Sequence, residues 1–220
     1  PPLLRGFRNR GLGISLLAVF FTGLPMIQTS RRMPWVGGTR LESVLGVVFV
    51  AVFGVIAAVA SSAPLVSPAF GIDALRIGTY NIHSGYSEFF DYDLEEIATA
   101  IEKSGSSVVL LQEVEAGRLT SFGVDQPLWL ARRLGMDVRF YGTNEGLQGL
   151  AVLSRVPIVF DDGVPLTSIG QQTGLQRVQI QPDEGAITIY NTWLGILLNC
   201  DSVEEQDREQ HHQLNQIFSM

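Results

Sequence analysis

The stretch RIGTYNIHSGY, residues 76–86, opens as an alternating strand and closes in Asn-Ile-His-Ser-Gly, a poor continuation for a sheet. A strand that stops in polar, ligand-capable side chains points to a working edge. The next turn signal is Asp93, which caps a helix, with Glu96 three residues later as its capping-box partner. Leu94, Ile97, Ala98 and Ile101 form the apolar face of that helix, and Gly105 ends it. SVVLLQEV, residues 107–114, then reads as a short strand buried on both faces and ending in Gln112-Glu113. Strands joined by one helical crossover are usually neighbours, so Asn81 and His83 are expected to share a crevice with Gln112 and Glu113.

Downstream, PLWLARRLG (127–135) is a second helix, with Pro127 in its first turn and Gly135 past its end. Strand-like runs follow at 137–141, 148–154, 157–160, 175–181 and 186–193, and Ser202 with Glu205 opens a last helix. Helices early and a run of antiparallel strands later give an α/β domain whose sheets are covered by helices.

Upstream the chain changes character. Between Arg10 and Arg31 there is no charge, and between Glu42 and Asp73 there is none either. The two runs, about 11–29 and 43–63, are expected to be transmembrane helices, since about twenty residues at ~1.5 Å each match a bilayer's hydrocarbon thickness. The expected organisation is a membrane segment over 1–63, a Pro-containing linker over 64–73 and a domain over 74–220 that is cut at its C-terminus. The loop 28–42 carries Arg31, Arg32 and Arg40, whereas 61–75 has no Lys or Arg, which places the domain on the extracytoplasmic side of a multi-pass membrane protein.

Charge is split the same way. Residues 1–72 carry +5 and residues 73–220 carry −12, within a net −7 and a mean hydropathy of +0.22. An acidic domain argues against tight sequence-independent binding to nucleic acid, which uses a basic surface. Cys200 is the one cysteine, so there is no disulfide framework and no cysteine-based metal site.

Glu113 is open to two readings from spacing: a cation ligand with Asn81, or a carboxylate ion-paired where its strand leaves the sheet. His211 and His212, beside Glu204, Glu205, Asp207 and Glu209, read as a solvated helix face.

RIGTYNIHSG, VVLLQEV, GLAVLSRVPI and ITIYNTWLG occur in this order over about 75–200. As an ordered set they resemble the endonuclease/exonuclease/phosphatase superfamily, of the membrane-attached bacterial type. That resemblance implies the N-terminal part of a DNase I-like four-layer β-sandwich flanked by helices, acting as a metal-dependent phosphoric ester hydrolase. It implies Asn81 and Glu113 as ligands of Mg²⁺ or Mn²⁺, and Glu113 with His83 as catalytic groups. Gln148 and Asn191 are the substrate-side residues it suggests, although a polar residue at a strand start such as Gln148 reads more readily as structural, and His83 reads equally as a surface or hydrogen-bonded loop residue. The expected partners are a lipid bilayer and a phosphodiester, lipid favoured over nucleic acid; no protein partner is implied.

There are two departures. Trp193 stands where many members have His, and an indole neither accepts nor delivers a proton there. The later Gly-Asp-x-Asn and Ser-Asp-His motifs do not occur in the 220 residues. The leading expectation is a membrane-tethered phosphodiesterase, expected to be inactive as this fragment alone. The alternatives are a metal-dependent nuclease and, in a different class, a non-catalytic membrane interaction domain.

Overall fold

The computed structural model describes residues 20–21, 40–60, 62, 64–66, 74–182, 185–195 and 203–220. The chain divides into two compact units, 1–62 and 63–220.

In the first unit, α1 runs from Arg40 to Ala60. Val44, Val47, Phe49, Phe53, Ile56 and Val59 along it are each more than half exposed. The helix carries Arg40 and Glu42 in its first turn, and its uncharged remainder is ~27 Å long at ~1.5 Å per residue. Among the described residues no helix is long and apolar enough to cross a membrane. The span expected at 43–63 falls on this helix, which runs from Arg40 to Ala60. The span expected at 11–29 lies outside the described residues, apart from a helical Phe20-Phe21.

The second unit contains β1 (Ile77–Asn81), α2 (Leu94–Ser104), β2 (Val108–Glu115), α3 (Gln126–Leu134), β3 (Asp137–Asn144), β4 (Gln148–Ser154), β5 (Ile158–Pro165), β6 (Gly174–Ile180), β7 (Ile187–Thr192) and α4 (Val203–Phe218). One sheet has the order β1-β2-β4-β3 and the other β5-β6-β7. Only β1 and β2 pair in parallel, which their helical crossover requires; the remaining pairs are antiparallel.

The helices start and stop where their caps dictate. Asp93 accepts hydrogen bonds from the N–H groups of Glu95 and Glu96, and Gly105 closes α2 in the left-handed region at φ 63°. Asp125 caps α3 by accepting from Leu128 N–H, and Gly135 ends it.

β2 is the central strand and serves two cores. Val109 and Leu111 face α2 and α3, packing with Ile97, Ile101, Leu130 and Leu134. Val108 and Leu110 point the other way, towards Val178, Ile180 and Ile189 of the second sheet. The period-2 alternation of a strand buried on both faces accounts for its unbroken apolar run. Each such side chain contributes about 1.5–3 kcal/mol on burial.

The described residues therefore stack as helices, sheet and sheet. The outer face of the second sheet carries the exposed Tyr190 and the Arg177–Asp162 ion pair. No described helix covers that face. α4 is instead fastened by polar side chains: Glu209 accepts from Ile169 N–H, Gln213 accepts from Gly195 N–H, and Gln216 accepts from Thr167 N–H. A helix whose inner face is Gln and Glu needs backbone partners rather than an apolar bed, and these loops supply them.

Candidate active site

β1 and β2 end side by side, with Asn81 opposite Gln112 in the register. At that point β2 is irregular. Leu111 pairs with Ala151 and Val114 with Gly149, so one strand fits three steps against two in the other. This bulge lies over Gln112-Glu113, and Glu113 takes a left-handed conformation at φ 52°. A bulge re-aims a side chain, here the carboxylate of Glu113. On the neighbouring strand a side chain at Gly149 would overlap the Tyr141 carbonyl, so glycine is required for β3 to close against β4 opposite the bulge.

The re-aimed carboxylate meets one group from the end of β1 and one from the turn that follows it. Asn81 Nδ2 donates to Glu113 Oε1 at 2.9 Å. His83 Nδ1 lies 3.3 Å from Glu113 Oε2. Asn81 Oδ1 in turn accepts from the His83 backbone N–H at 3.0 Å, which fixes the amide's orientation. His83 and Ser84 also have positive φ, 46° and 57°. Three non-glycine residues at this one edge thus sit in the left-handed region, each a conformation that needs support from its surroundings.

The cluster opens to solvent: the His83 side chain is 68% exposed and that of Glu113 21%. Oε1 accepts the Asn81 hydrogen bond and Oε2 lies against His83 Nδ1, so lone-pair positions on the carboxylate stay free. That suits a hard cation that takes one or two protein carboxylates and keeps several waters. As placed, Asn81 presents a proton, not a lone pair, towards Glu113; the carboxylate is the stronger ligand and the amide its positioner. Among the described residues no group of three or more His, Cys, Asp or Glu could hold a metal ion.

Gln148 is half-buried at the same end. Its Nε2 donates to Ser84 Oγ at 3.3 Å and its Oε1 accepts from Arg118 at 3.1 Å. It lines a crevice with Glu113, Thr173 and Trp193. Asn191 is elsewhere, and its expected role on the substrate side needs correction. It is 2% exposed between the sheets, donating to the carbonyls of Leu111 and Ala151 and accepting from Gln112 Nε2 at 2.8 Å. With its amide fully committed, it ties sheet to sheet and offers nothing to a substrate. His211 and His212 are exposed, and His211 faces Asp207 at 3.5 Å.

Several residues here were not singled out in the sequence. Glu115, 2% exposed, accepts from Thr120 Oγ1 at 2.7 Å and faces Arg118 at 3.4 Å. Gln126, fully buried, donates to the Ser84 carbonyl at 2.6 Å and accepts from Glu115 N–H. It is 3.4 Å from Tyr92 OH. Burial raises the Tyr92 phenol above its ordinary pKa, partly offset by the Gln126 contact. These groups brace the loop that carries His83. The available signal was Glu115 in alternation with Glu113, a second acid in an apolar strand.

With the edge described, comparison with known proteins becomes informative. Residues 78–216 match the model of the endonuclease/exonuclease/phosphatase family. The chain belongs to this family. Family members are hydrolases acting on phosphate esters. Among solved structures, the endonuclease/exonuclease/phosphatase from Beutenbergia cavernae DSM 12333 is similar at 24% identity and a TM-score of 0.51, covering 66% of this chain and 43% of that one. A family protein from Leptotrichia buccalis C-1013-b gives 18% and 0.45, covering 61% of each chain. D. rerio TDP2 complexed with a single-strand DNA product gives 14% and 0.45, covering 66% and 54%. No curated protein matches the sequence. The chain thus spans between 43% and 61% of these structures. The first of them supports the fold of this family domain.

Proposed function

We propose that this endonuclease/exonuclease/phosphatase domain is a divalent-metal-dependent phosphodiesterase held at a membrane by its N-terminal third and acting on a lipid or glycolipid phosphodiester. The observation that carries the reading is the convergence of Asn81, His83 and Glu113 at an open strand edge. Glu113 would hold Mg²⁺ or Mn²⁺, with Asn81 and His83 fixing the carboxylate's direction. Bound there, such a cation supplies charge neutralisation on the nonbridging phosphate oxygens.

The chain's own groups do the rest. Nδ1 of His83, held by Glu113, leaves Nε2 facing solvent, where it can take a proton from a water or donate to a phosphate oxygen, according to its protonation. Trp193 gives the crevice an apolar wall and no proton chemistry. Attachment to a membrane is supported by the apolar side chains that α1 leaves exposed. The lipid preference is supported by the −12 charge of residues 73–220, which would repel a polyanion.

A non-catalytic binding domain is the second reading, favoured by Trp193 at the crevice. Titration of the chain with Mn²⁺, followed by loss of the free-ion paramagnetic resonance signal, separates the two. Binding that weakens at least tenfold in Glu113→Gln supports the metal site. Equal binding by wild type and variant removes Glu113 from it. Hydrolysis of a phospholipid but not of an oligonucleotide, lost in the same variant, supports the substrate class.

A further inference from the structure

Beside the site, two loops present apolar side chains that nothing among the described residues covers. In the first, Ser87 closes a tight turn: its hydroxyl accepts from the N–H groups of Phe89 and Asp91, and Ser87 N–H donates to the Asp91 carbonyl. The tip of this turn is Phe89-Phe90, 78% and 84% exposed, with Phe90 at φ 63°. In the second, a short helical turn over Leu119–Ser121 presents Leu119 at 94% exposure and ends at Phe122, 73% exposed and at φ 59°.

The loops form one structure. Tyr86 OH donates to the Thr120 carbonyl at 2.5 Å, and Tyr92 packs edge-on against both Tyr86 and Phe122, with ring centroids 5.2 and 5.3 Å apart. Between them lies an open depression of about 650 Å³ that His83, Ser84, Phe90 and Glu115 help to line. Two phenylalanines in a backbone region that bulky residues avoid, both turned to solvent at the mouth of the site, is an arrangement folding alone does not favour.

We infer that these two loops are a docking surface for a bilayer of zwitterionic phospholipid, seating the His83 depression on the lipid headgroups. The inference rests on the lipid phosphodiesterase reading and adds a contact separate from α1. Several observations select this occupant. The projecting residues Phe89, Phe90, Leu119 and Phe122 are apolar, and aromatic side chains suit the membrane interface. Arg118, beside the second loop, is engaged by Glu115 and Glu145, at 3.4 and 3.1 Å, and is not held out for a polyanion. The acidic balance of the domain disfavours anionic lipid for the same reason. The chain also carries a helix, α1, whose own exposed apolar side chains call for the same medium.

The test uses the full chain in phosphatidylcholine vesicles, in a Cys200→Ser background. A nitroxide is attached in turn at Phe89→Cys, at Leu119→Cys and at Lys103→Cys. Lys103 ends α2 at the opposite end of the sheet from the site. Labels at 89 and 119 should collide more with apolar oxygen than with a water-soluble nickel chelate, and the label at 103 should show the reverse. Phe89→Asp with Leu119→Asp should lower hydrolysis of vesicle phospholipid about tenfold and leave that of a water-soluble phosphodiester unchanged. Labels at 89 and 119 that behave like the one at 103 overturn the docking surface even where lipid hydrolysis persists. Labels in the bilayer without hydrolysis leave the docking surface standing and count against the phosphodiesterase reading. Protection of 89 and 119 by an oligonucleotide but not by vesicles overturns the inference in favour of base stacking.

Discussion

Gln112 and Glu113 are adjacent in β2, yet each joins a polar cluster of a different kind. Gln112 turns inward, donating to Thr79 Oγ1 and Asn191 Oδ1, and Asn191 passes its own amide protons to carbonyls of β2 and β4. The groups there have neutral partners from the protein itself. Glu113 turns outward over a bulge, in a strained backbone, to a charge stabilised by only two donors. The inner cluster is closed and the outer one has unused acceptor capacity. A closed buried network rigidifies, whereas an open, strained, charged edge is what a ligand completes. The neighbouring amide of Asn191 was read as a site residue for its company in the sequence, but its burial gives it the opposite role.

The contrast predicts opposite responses to mutation. Asn191→Leu should show the largest effect. It removes the side-chain donor that the carbonyls of Leu111 and Ala151 share, while Gln112 Nε2 keeps Thr79 Oγ1 and the Leu110 carbonyl. Orphaned buried groups cost ~1–3 kcal/mol each, and with partial relief the loss should be about 3 kcal/mol. For a unit of this size that lowers Tm by roughly 6–12 °C, measurable by circular dichroism. A drop under 1 °C would break the distinction between the two clusters.

How much of this was legible follows the same line. The β1-α2-β2 crossover was readable because each element has its own signal: Asp93 and Gly105 bound the helix, and β2 is an apolar run. That alone brought Asn81, His83 and Glu113 to one edge. The later strands were readable to within a few residues, but β5 runs to Pro165, beyond its apolar part, because its ladder with β6 continues through Asp161-Asp162-Gly163. The bulge was not legible. A non-glycine residue at positive φ leaves no trace in composition, since Glu113 sits there through the register mismatch between β2 and β4. Nor was the burial of Asn191, whose neighbours Tyr190 and Trp193 give no hint that its amide crosses to the first sheet. α1 shows the converse limit: an apolar run announces a helix, but the helix begins at Arg40, ahead of the run itself.

Glu113→Gly sharpens the comparison at the outer cluster. It removes the Asn81 hydrogen bond and the His83 contact, which water can replace, and relieves a left-handed conformation worth about 1 kcal/mol. Stability should change by less than ~1 kcal/mol in urea denaturation, in contrast to Asn191→Leu. Mn²⁺ binding should fall more than tenfold in the same protein. A loss of stability matching that of Asn191→Leu would make Glu113 a structural residue like its neighbour.

The smallest expected effect lies at Tyr92, between the two clusters and the aromatic loops. Its phenol is raised by burial, so the folded protein favours the neutral form. A raised folded value means the contribution is complete below the ordinary tyrosine pKa of about 10 and fades as pH rises through the folded one. Stability should therefore fall with a slope above about pH 10 that Tyr92→Phe removes. At neutral pH that variant forfeits the 3.4 Å contact from Gln126, a long hydrogen bond worth about 0.5 kcal/mol. Denaturation at pH 7 and at pH 10.5 measures both. An unchanged alkaline slope in Tyr92→Phe would show that the ring titrates as a solvated phenol, and that the brace from Gln126 to the His83 loop is looser than its geometry indicates.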